Sequence, residues 1–271
     1  MLSDITIGQF FPGKSIIHRL DPRLKLSLLL AFIIFIFATF NYFSLLLMVF
    51  SVVAIVLMTK IPVKLYFKSL KSIIVIVIFT SVINLFYGKG EPIWQWGIIK
   101  LTVGGINNAV FVLLRIVSLI LVSTVLTYTT SPTQLTDAME NLMSPLKVFK
   151  FPVHEVAMMM TIALRFIPTL LDETEKIINA QKARGASMDT GNIIQRIKAF
   201  LPVLVPLLVS SFRRAYELAT AMECRCYHGG EGRTRMKSFH LSKLDYISLS
   251  ICAILFAGVI LGNIFLPAPI K

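Results

Sequence analysis

Two arginines carry the most specific chemistry in this chain: Arg184 in "NAQKARGAS" (179–187) and Arg225 in "AMECRCYHGG" (221–230). Each follows an alanine by four residues and closes a long helical pattern. Each stands between small neighbours, Ala183 and Gly185 in one case and Cys224 and Cys226 in the other. A guanidinium at the negative end of a helix dipole, with nothing bulky beside it, can enter a narrow groove and pair bidentately with a carboxylate. The simpler reading is that each arginine only caps its own helix, where a cation contributes roughly 0.3–1 kcal/mol. Two similar tips in one segment favour docking onto a partner.

Other reactive constellations do not assemble from the sequence. Cys224, Cys226, His228 and His240 suggest a metal site, but Cys-x-Cys-x-His is not a usual zinc spacing and the fourth candidate lies far downstream. The cysteines read better as small residues, and no metal is expected. "GKGEP" (88–92) lacks the spacing and the strand-to-helix context of a phosphate-binding loop. There is no Ser-His-Asp set and no carboxylate pair. The chain is expected to be no enzyme and to bind no cofactor; any ATP and Mg would be used by another subunit.

The elements that hold these arginines belong to a membrane protein. Of 271 residues, 56% are hydrophobic and only 15% charged, and the mean hydropathy is +0.78. Five segments read as spans: 26–40, 43–58, 72–87, 106–128 and 246–266. The first two are short and joined only by "TFNYF", which predicts a tight hairpin. Basic residues then set the orientation. Lys14, Arg19, Arg23 and Lys25 precede the first span, and Lys60, Lys64, Lys68 and Lys71 fill the loop after the second. The alternate loops hold only Lys89 and Lys100, against Glu91. An N-terminus inside places every basic loop in the cytoplasm, Trp94 and Trp96 at the outer interface, and "PAPIK" outside. The net charge of +13 therefore reads as the positive-inside rule and not as a nucleic-acid surface. The three cysteines fit reduced thiols on a cytoplasmic face, and no removable signal peptide is expected.

The fold class is thus an all-α polytopic membrane protein with about five transmembrane helices and long cytoplasmic helices between the fourth and fifth spans. Its parts are a membrane domain over 1–128, a cytoplasmic segment over 129–245 and a final span within 246–271. Two further apolar runs, 156–171 and 199–212, could form a sixth and seventh span. Pro168, Pro202 and Pro206 interrupt them, and crossing would place Lys176, Lys182, Arg184, Arg196 and Lys198 outside. Long helices lying along the membrane face fit better. In the first, Leu170, Leu171, Thr174, Ile177 and Ile178 form one stripe, opposite Asp172, Glu173, Glu175 and Lys176. Arg184 continues that stripe, and Gly185 stands where a helix commonly turns left-handed. The second helix is expected over 192–226, with Leu218 and Met222 leading to Arg225 and with Gly229 and Gly230 ending the run.

Asp21 and Pro22 read as a helix start. Arg115 lies inside the fourth span and must snorkel or pair; Arg165 interrupts an apolar run and must do the same. Eight of eleven methionines fall in the cytoplasmic segment: Met139, Met143, Met158, Met159, Met160, Met188, Met222 and Met236. Flexible thioethers suit a surface that fits several partners, although core filling explains any one of them as well.

In "HRLDPRLKL" (18–26), "LRFIPTLLDE" (164–173), "AQKARGA" (180–186) and "CRC" (224–226), taken in this order, the chain resembles the transmembrane T component of energy-coupling factor (ECF) transporters over its full length. The resemblance implies that two Ala-Arg-Gly-like tips dock on a pair of ATP-binding-cassette ATPases, which hydrolyse the ATP. The first tip matches that pattern in full; the second keeps only its arginine. It also implies contact between the Met158, Met159 and Met160 surface and one or several substrate-binding membrane subunits that take up vitamins or other micronutrients. Asp21, Pro22, Arg23, Arg165 and Pro168 would then be structural. A conventional permease that forms the substrate path itself is the alternative, and it predicts polar spans and a single docking loop.

Overall fold

The computed structural model describes residues 10–86, 92–96, 99–185, 193–230 and 241–265. They form α1 (Ile16–Arg19), α2 (Pro22–Phe37), α3 (Tyr42–Met58), α4 (Val63–Phe86), β1 (Pro92–Trp96), β2 (Ile99–Thr102), α5 (Val103–Thr129), α6 (Pro132–Leu142), a 3-10 turn (Ser144–Phe149), α7 (Val153–Ala183), α8 (Ile193–Glu223) and α9 (Lys243–Phe265). The chain divides into two compact units, one built from Gly8–Ala138 and Ser238–Lys271, the other centred on Met139–Lys237.

The first unit is a helical bundle in which α5 packs against α2, α3 and α4, while α9 packs against α2 and α3. Its core joins Phe32 and Ile36 of α2, Met48 and Val52 of α3, Val122 of α5 and Val259 of α9. The Phe256 ring stacks on Phe35 at 4.1 Å and meets Phe32 edge-on at 5.2 Å. Helices surrounded by lipid gain little from hydrophobic association, so small residues and hydrogen bonds hold them together. Gly262 lets α9 approach α3 so closely that a Cβ there would lie 2.8 Å from Ser44 Oγ. At the same end, Asn41 Nδ2 donates to Gly262 O (2.9 Å) and Asn263 Nδ2 donates to Ala38 O (2.7 Å). The short α2–α3 hairpin expected from "TFNYF" is therefore fastened to α9. Gly105 serves the α4–α5 contact in the same way: a Cβ there would stand 2.2 Å from Leu85 O.

Arg115 finds its partner in backbone. Its Nη2 donates to Thr39 O (2.7 Å), and the guanidinium lies 5.9 Å from the centre of the Phe37 ring. The carbonyls at the end of a helix have no intrahelical donor and carry the negative end of its dipole, so the C-terminal end of α2 suits the half-buried guanidinium.

Three other helix ends meet in a buried polar cluster. Asp21 caps α2, its Oδ1 accepting from Arg23 N (2.9 Å) with Pro22 in the first turn. Asp245, in the first turn of α9, accepts from Asp21 N (2.9 Å) through Oδ1 and from Ser242 N (2.7 Å) and Ser242 Oγ (2.8 Å) through Oδ2. Lys25 Nζ donates to Thr129 O (3.0 Å) at the end of α5 and to His18 O (3.2 Å). Asp21, Lys25 and Asp245 are all buried. One carboxylate thus ties the start of α9 to the start of α2, beside an ammonium that holds the end of α5.

Two features depart from the sequence reading. The segment before α5, read as a loop, contains an antiparallel two-stranded ribbon with Trp94 opposite Leu101 and Trp96 opposite Ile99. Its run of aromatic and β-branched residues fits that conformation. The helices long and apolar enough to cross a membrane are α4, α5, α7, α8 and α9, with α3 shorter. They are equal in number to the spans read from sequence but not the same set. With 16 and 17 residues, α2 and α3 reach only about 24–26 Å at 1.5 Å per residue. The hydrocarbon core is about 30 Å thick, so flanking residues must complete them.

In the second unit, α7 and α8 are packed antiparallel. Glu173 of α7 accepts from Ser210 Oγ and from Arg214 Nη2 (2.8 Å) of α8. Gln181 Nε2 donates to Pro202 O (3.3 Å), and at the other end a Cβ on Gly229 would lie 3.8 Å from Glu155 Oε1. As one number rises the other falls. Both helices run through their prolines, Pro168 in α7 and Pro202 and Pro206 in α8. Pro206 lacks the N–H that would satisfy the carbonyl four residues earlier, that of Pro202, and Gln181 supplies a donor in its place.

Candidate functional site

The stripe expected on α7 faces inward: Leu170, Leu171, Thr174, Ile177 and Ile178 are half-buried, while Asp172, Glu175 and Lys176 are exposed. Glu173 does not belong with the exposed charges. It joins the stripe and makes the ion pair that holds α7 to α8, because a carboxylate can be accommodated in a helix contact when a cation and a hydroxyl meet it there. On α8, Leu218 and Met222 are half-buried.

Ala183, Arg184 and Gly185 are exposed at the end of α7, and Cys224, Arg225 and Cys226 are exposed at the end of α8. The two tips have the same backbone geometry. After Arg184, Gly185 is left-handed (φ +86°); after Arg225, Cys226 is left-handed (φ +55°). Gly185 N donates to Lys182 O (3.0 Å), and Cys226 N donates to Glu223 O (2.8 Å). One residue earlier, Arg184 N donates to Gln181 O (3.1 Å) and Arg225 N to Met222 O (3.0 Å). In the second tip Tyr227 N also reaches back to Met222 O (3.1 Å), which completes a Schellman cap. Each arginine is therefore the last residue before the chain turns away, and its side chain leaves the helix at the mouth of the unsatisfied carbonyls. The expected end of the second helix at Gly229 and Gly230 is corrected: α8 stops at Glu223 and the turn falls on Cys226. Gly229 and Gly230 instead carry the chain back onto the start of α7, where a Cβ on Gly230 would lie 2.6 Å from the His154 ring.

Because the helices are antiparallel, the two arginines stand at opposite ends of the hairpin. The register that pairs Glu173 with Ser210 and Gln181 with Pro202 sets Arg225 level with about residue 158 of α7. That is about 26 residues from Arg184, or about 40 Å along the axis. One pocket cannot receive both.

The register also places the methionine patch at the Arg225 end. Met158 is half-buried, and Met159 and Met160 are exposed. A larger apolar face lies along α8, where Leu201, Leu204, Val205, Leu208, Phe212 and Tyr216 are all exposed. This face falls largely in the apolar run 199–212 of the sequence, and its spacing of three and four residues marks one side of a helix. Arg165 and Pro168 are exposed on α7, Asp21 and Pro22 are buried at the start of α2, and Arg23 is half-buried there. Among the described residues, no group of three His, Cys, Asp or Glu could hold a metal ion. His240, Met188 and Met236 lie outside the described residues.

Comparison with known proteins agrees with this architecture. Residues 13–236 match the family model CbiQ, described as a cobalt transport protein. The chain is 53% identical to the energy-coupling factor transporter transmembrane protein EcfT of Ruminiclostridium cellulolyticum, over 96% of this chain and 98% of that one. Proteins of the same name from Clostridium kluyveri and Bacillus subtilis are each 47% identical, covering 96% and 88% of this chain and 96% and 90% of their own lengths.

Proposed function

From the premise that the chain belongs to the CbiQ family of cobalt transport proteins, we propose that it is the non-catalytic coupling subunit of an energy-coupling factor importer. Two ATP-binding-cassette ATPases dock on it, one at the Arg184 tip and one at the Arg225 tip, and they alone bind ATP and Mg. A substrate-binding membrane subunit packs against the apolar face of α8 and the patch of Met158, Met159 and Met160. When ATP draws the ATPases together, the docked tips move with them. The helices of the hairpin carry that movement to the substrate-binding subunit, which reorients and releases its vitamin or other micronutrient inside the cell.

The observation that carries this reading is the repetition of one cap geometry, arginine followed by a left-handed residue, at both ends of one hairpin. Two grooves about 40 Å apart are then needed, by the rise per residue of the helices, and a pair of ATPases supplies them. The permease alternative is disfavoured by the use made of Arg115. That cation is spent on the end of α2 and does not line a path. Affinity purification of the tagged chain from membranes should bring down two ATPase subunits per chain together with a small hydrophobic binding protein. Transport by the chain without any ATPase would overturn the proposal.

In this reading the N-terminus and the α7–α8 segment lie in the cytoplasm, which their basic residues support. α7 and α8 are long and apolar enough to cross a membrane, but crossing would carry Lys176, Lys182 and Arg184 to the outer side, against the positive-inside rule. A Thr190→Cys variant, made in a background without native cysteines, should stay unlabelled by an impermeant maleimide in intact cells and react after lysis. Labelling of intact cells would put both helices across the membrane.

A further inference from the structure

Three cysteines are free in this chain, and Cys226 is the one whose backbone is left-handed (φ +55°). That region is disfavoured for residues bearing a Cβ and open to glycine. In the first tip glycine occupies the same place, and a Cβ on Gly185 would meet nothing within 4 Å. Within the chain itself, glycine there meets a demand of the dihedral angles and relieves no contact. Cys226 stands in the corresponding hydrogen-bonded position, one residue after the arginine, with its N–H returned to Glu223 O.

We propose that Cys226 is the positioning residue of the second tip: it takes over the left-handed turn that Gly185 supplies in the first, and so aims Arg225 at its receptor. The apparent loss of the Ala-Arg-Gly pattern at this tip is a change of side chain without a change of backbone. A residue that resists the left-handed region would let α8 run on or fray, and Arg225 would lose its fixed place at the end of its helix. The thiol itself has no part in docking. This inference rests on the docking reading of the two arginines.

The test uses the full-length chain in lipid nanodiscs, titrated with its purified ATPase pair, and compares substitutions at Cys226 alone. Cys226→Gly should bind as tightly as the parent or more tightly. Cys226→Asn, similar in bulk to valine but tolerant of the left-handed region, should bind like the parent. Cys226→Val should bind about tenfold more weakly, at unchanged expression and thermal midpoint. Weakening in the glycine or asparagine variant as large as that in the valine variant would show that the thiol is what matters, and would overturn the proposal. So would a valine variant that binds like the parent. If valine lowers the amount of folded protein, the asparagine and glycine variants still decide. Arg225→Ala in the same titration separates the two levels: no effect there defeats the docking reading, whereas an effect there with none from Cys226→Val defeats this inference alone.

Discussion

On the proposed function, Arg184→Ala and Arg225→Ala should each weaken ATPase docking by roughly 30-fold to several thousand-fold while the chain remains folded and inserted. The range follows from the loss of a desolvated guanidinium–carboxylate pair at an interface, about 2–5 kcal/mol, at about 1.4 kcal/mol per tenfold. Folding is spared because both side chains are exposed beyond the last turn of their helices. Lysine at either position restores only part of the affinity, since it keeps the charge without the planar fork. Transport fails even where one ATPase remains attached, because a hairpin anchored at one end follows only one of the two motors. The double variant loses the complex. The measurements are copurification from membranes and titration of the reconstituted chain. A double variant that assembles and transports like the parent would reduce both arginines to helix caps.

Asp245→Ala lowers the thermal midpoint of the detergent-solubilised chain by about 6–12 °C. Its carboxylate is buried and accepts from Asp21 N, Ser242 N and Ser242 Oγ, with the Lys25 ammonium nearby. Removing it strands two backbone donors and a hydroxyl, and leaves Asp21 as the carboxylate near the Lys25 ammonium. Such losses cost about 3 kcal/mol or more, and a chain of this size shifts by roughly 2–4 °C per kcal/mol. Asp245→Asn keeps an acceptor for Asp21 N and loses less. An alanine variant that melts with the parent would mean that water replaces the carboxylate and that the three helix ends are not clasped by it.

How much of this was legible before the structure depended on which physical signal each residue carries. Long apolar runs located α2, α3, α5 and α9 to within about four residues, because burial in hydrocarbon demands continuous hydropathy, whereas α4 begins at Val63, well before the expected 72, and takes in Lys64, Lys68 and Lys71, which read as loop. The left-handed Gly185 was legible because glycine after a helical stripe has few other uses. Its counterpart was not, because a cysteine announces nothing about its dihedral angles; attention fell on Gly229 and Gly230, of which Gly229 is left-handed too (φ +100°) but lies beyond the turn at Cys226, and Gly230 lies close against His154. Glu173 was assigned to the solvent face by its charge alone, and only the placement of Ser210 and Arg214 on α8 reverses that. Arg115 had no readable partner because a backbone carbonyl leaves no mark in a sequence. Asp245 was not singled out, because its bond to Asp21 N joins residues far apart in the chain and leaves no local pattern.

Two antiparallel helices of 31 residues each possess an approximate two-fold axis, perpendicular to the pair and passing near Leu171 and Phe212 in the observed register. Rotation about that axis exchanges the Arg184 tip with the Arg225 tip. A single polypeptide thereby presents a pseudosymmetric pair of equivalent ends. ATPases that face each other across a two-fold axis of their own can both be met in the same orientation by one copy of this chain. On the proposed function, symmetry between the two ATPases would be matched without a second coupling subunit, and the two halves of the hairpin would be free to diverge in sequence wherever the exchange does not require identity.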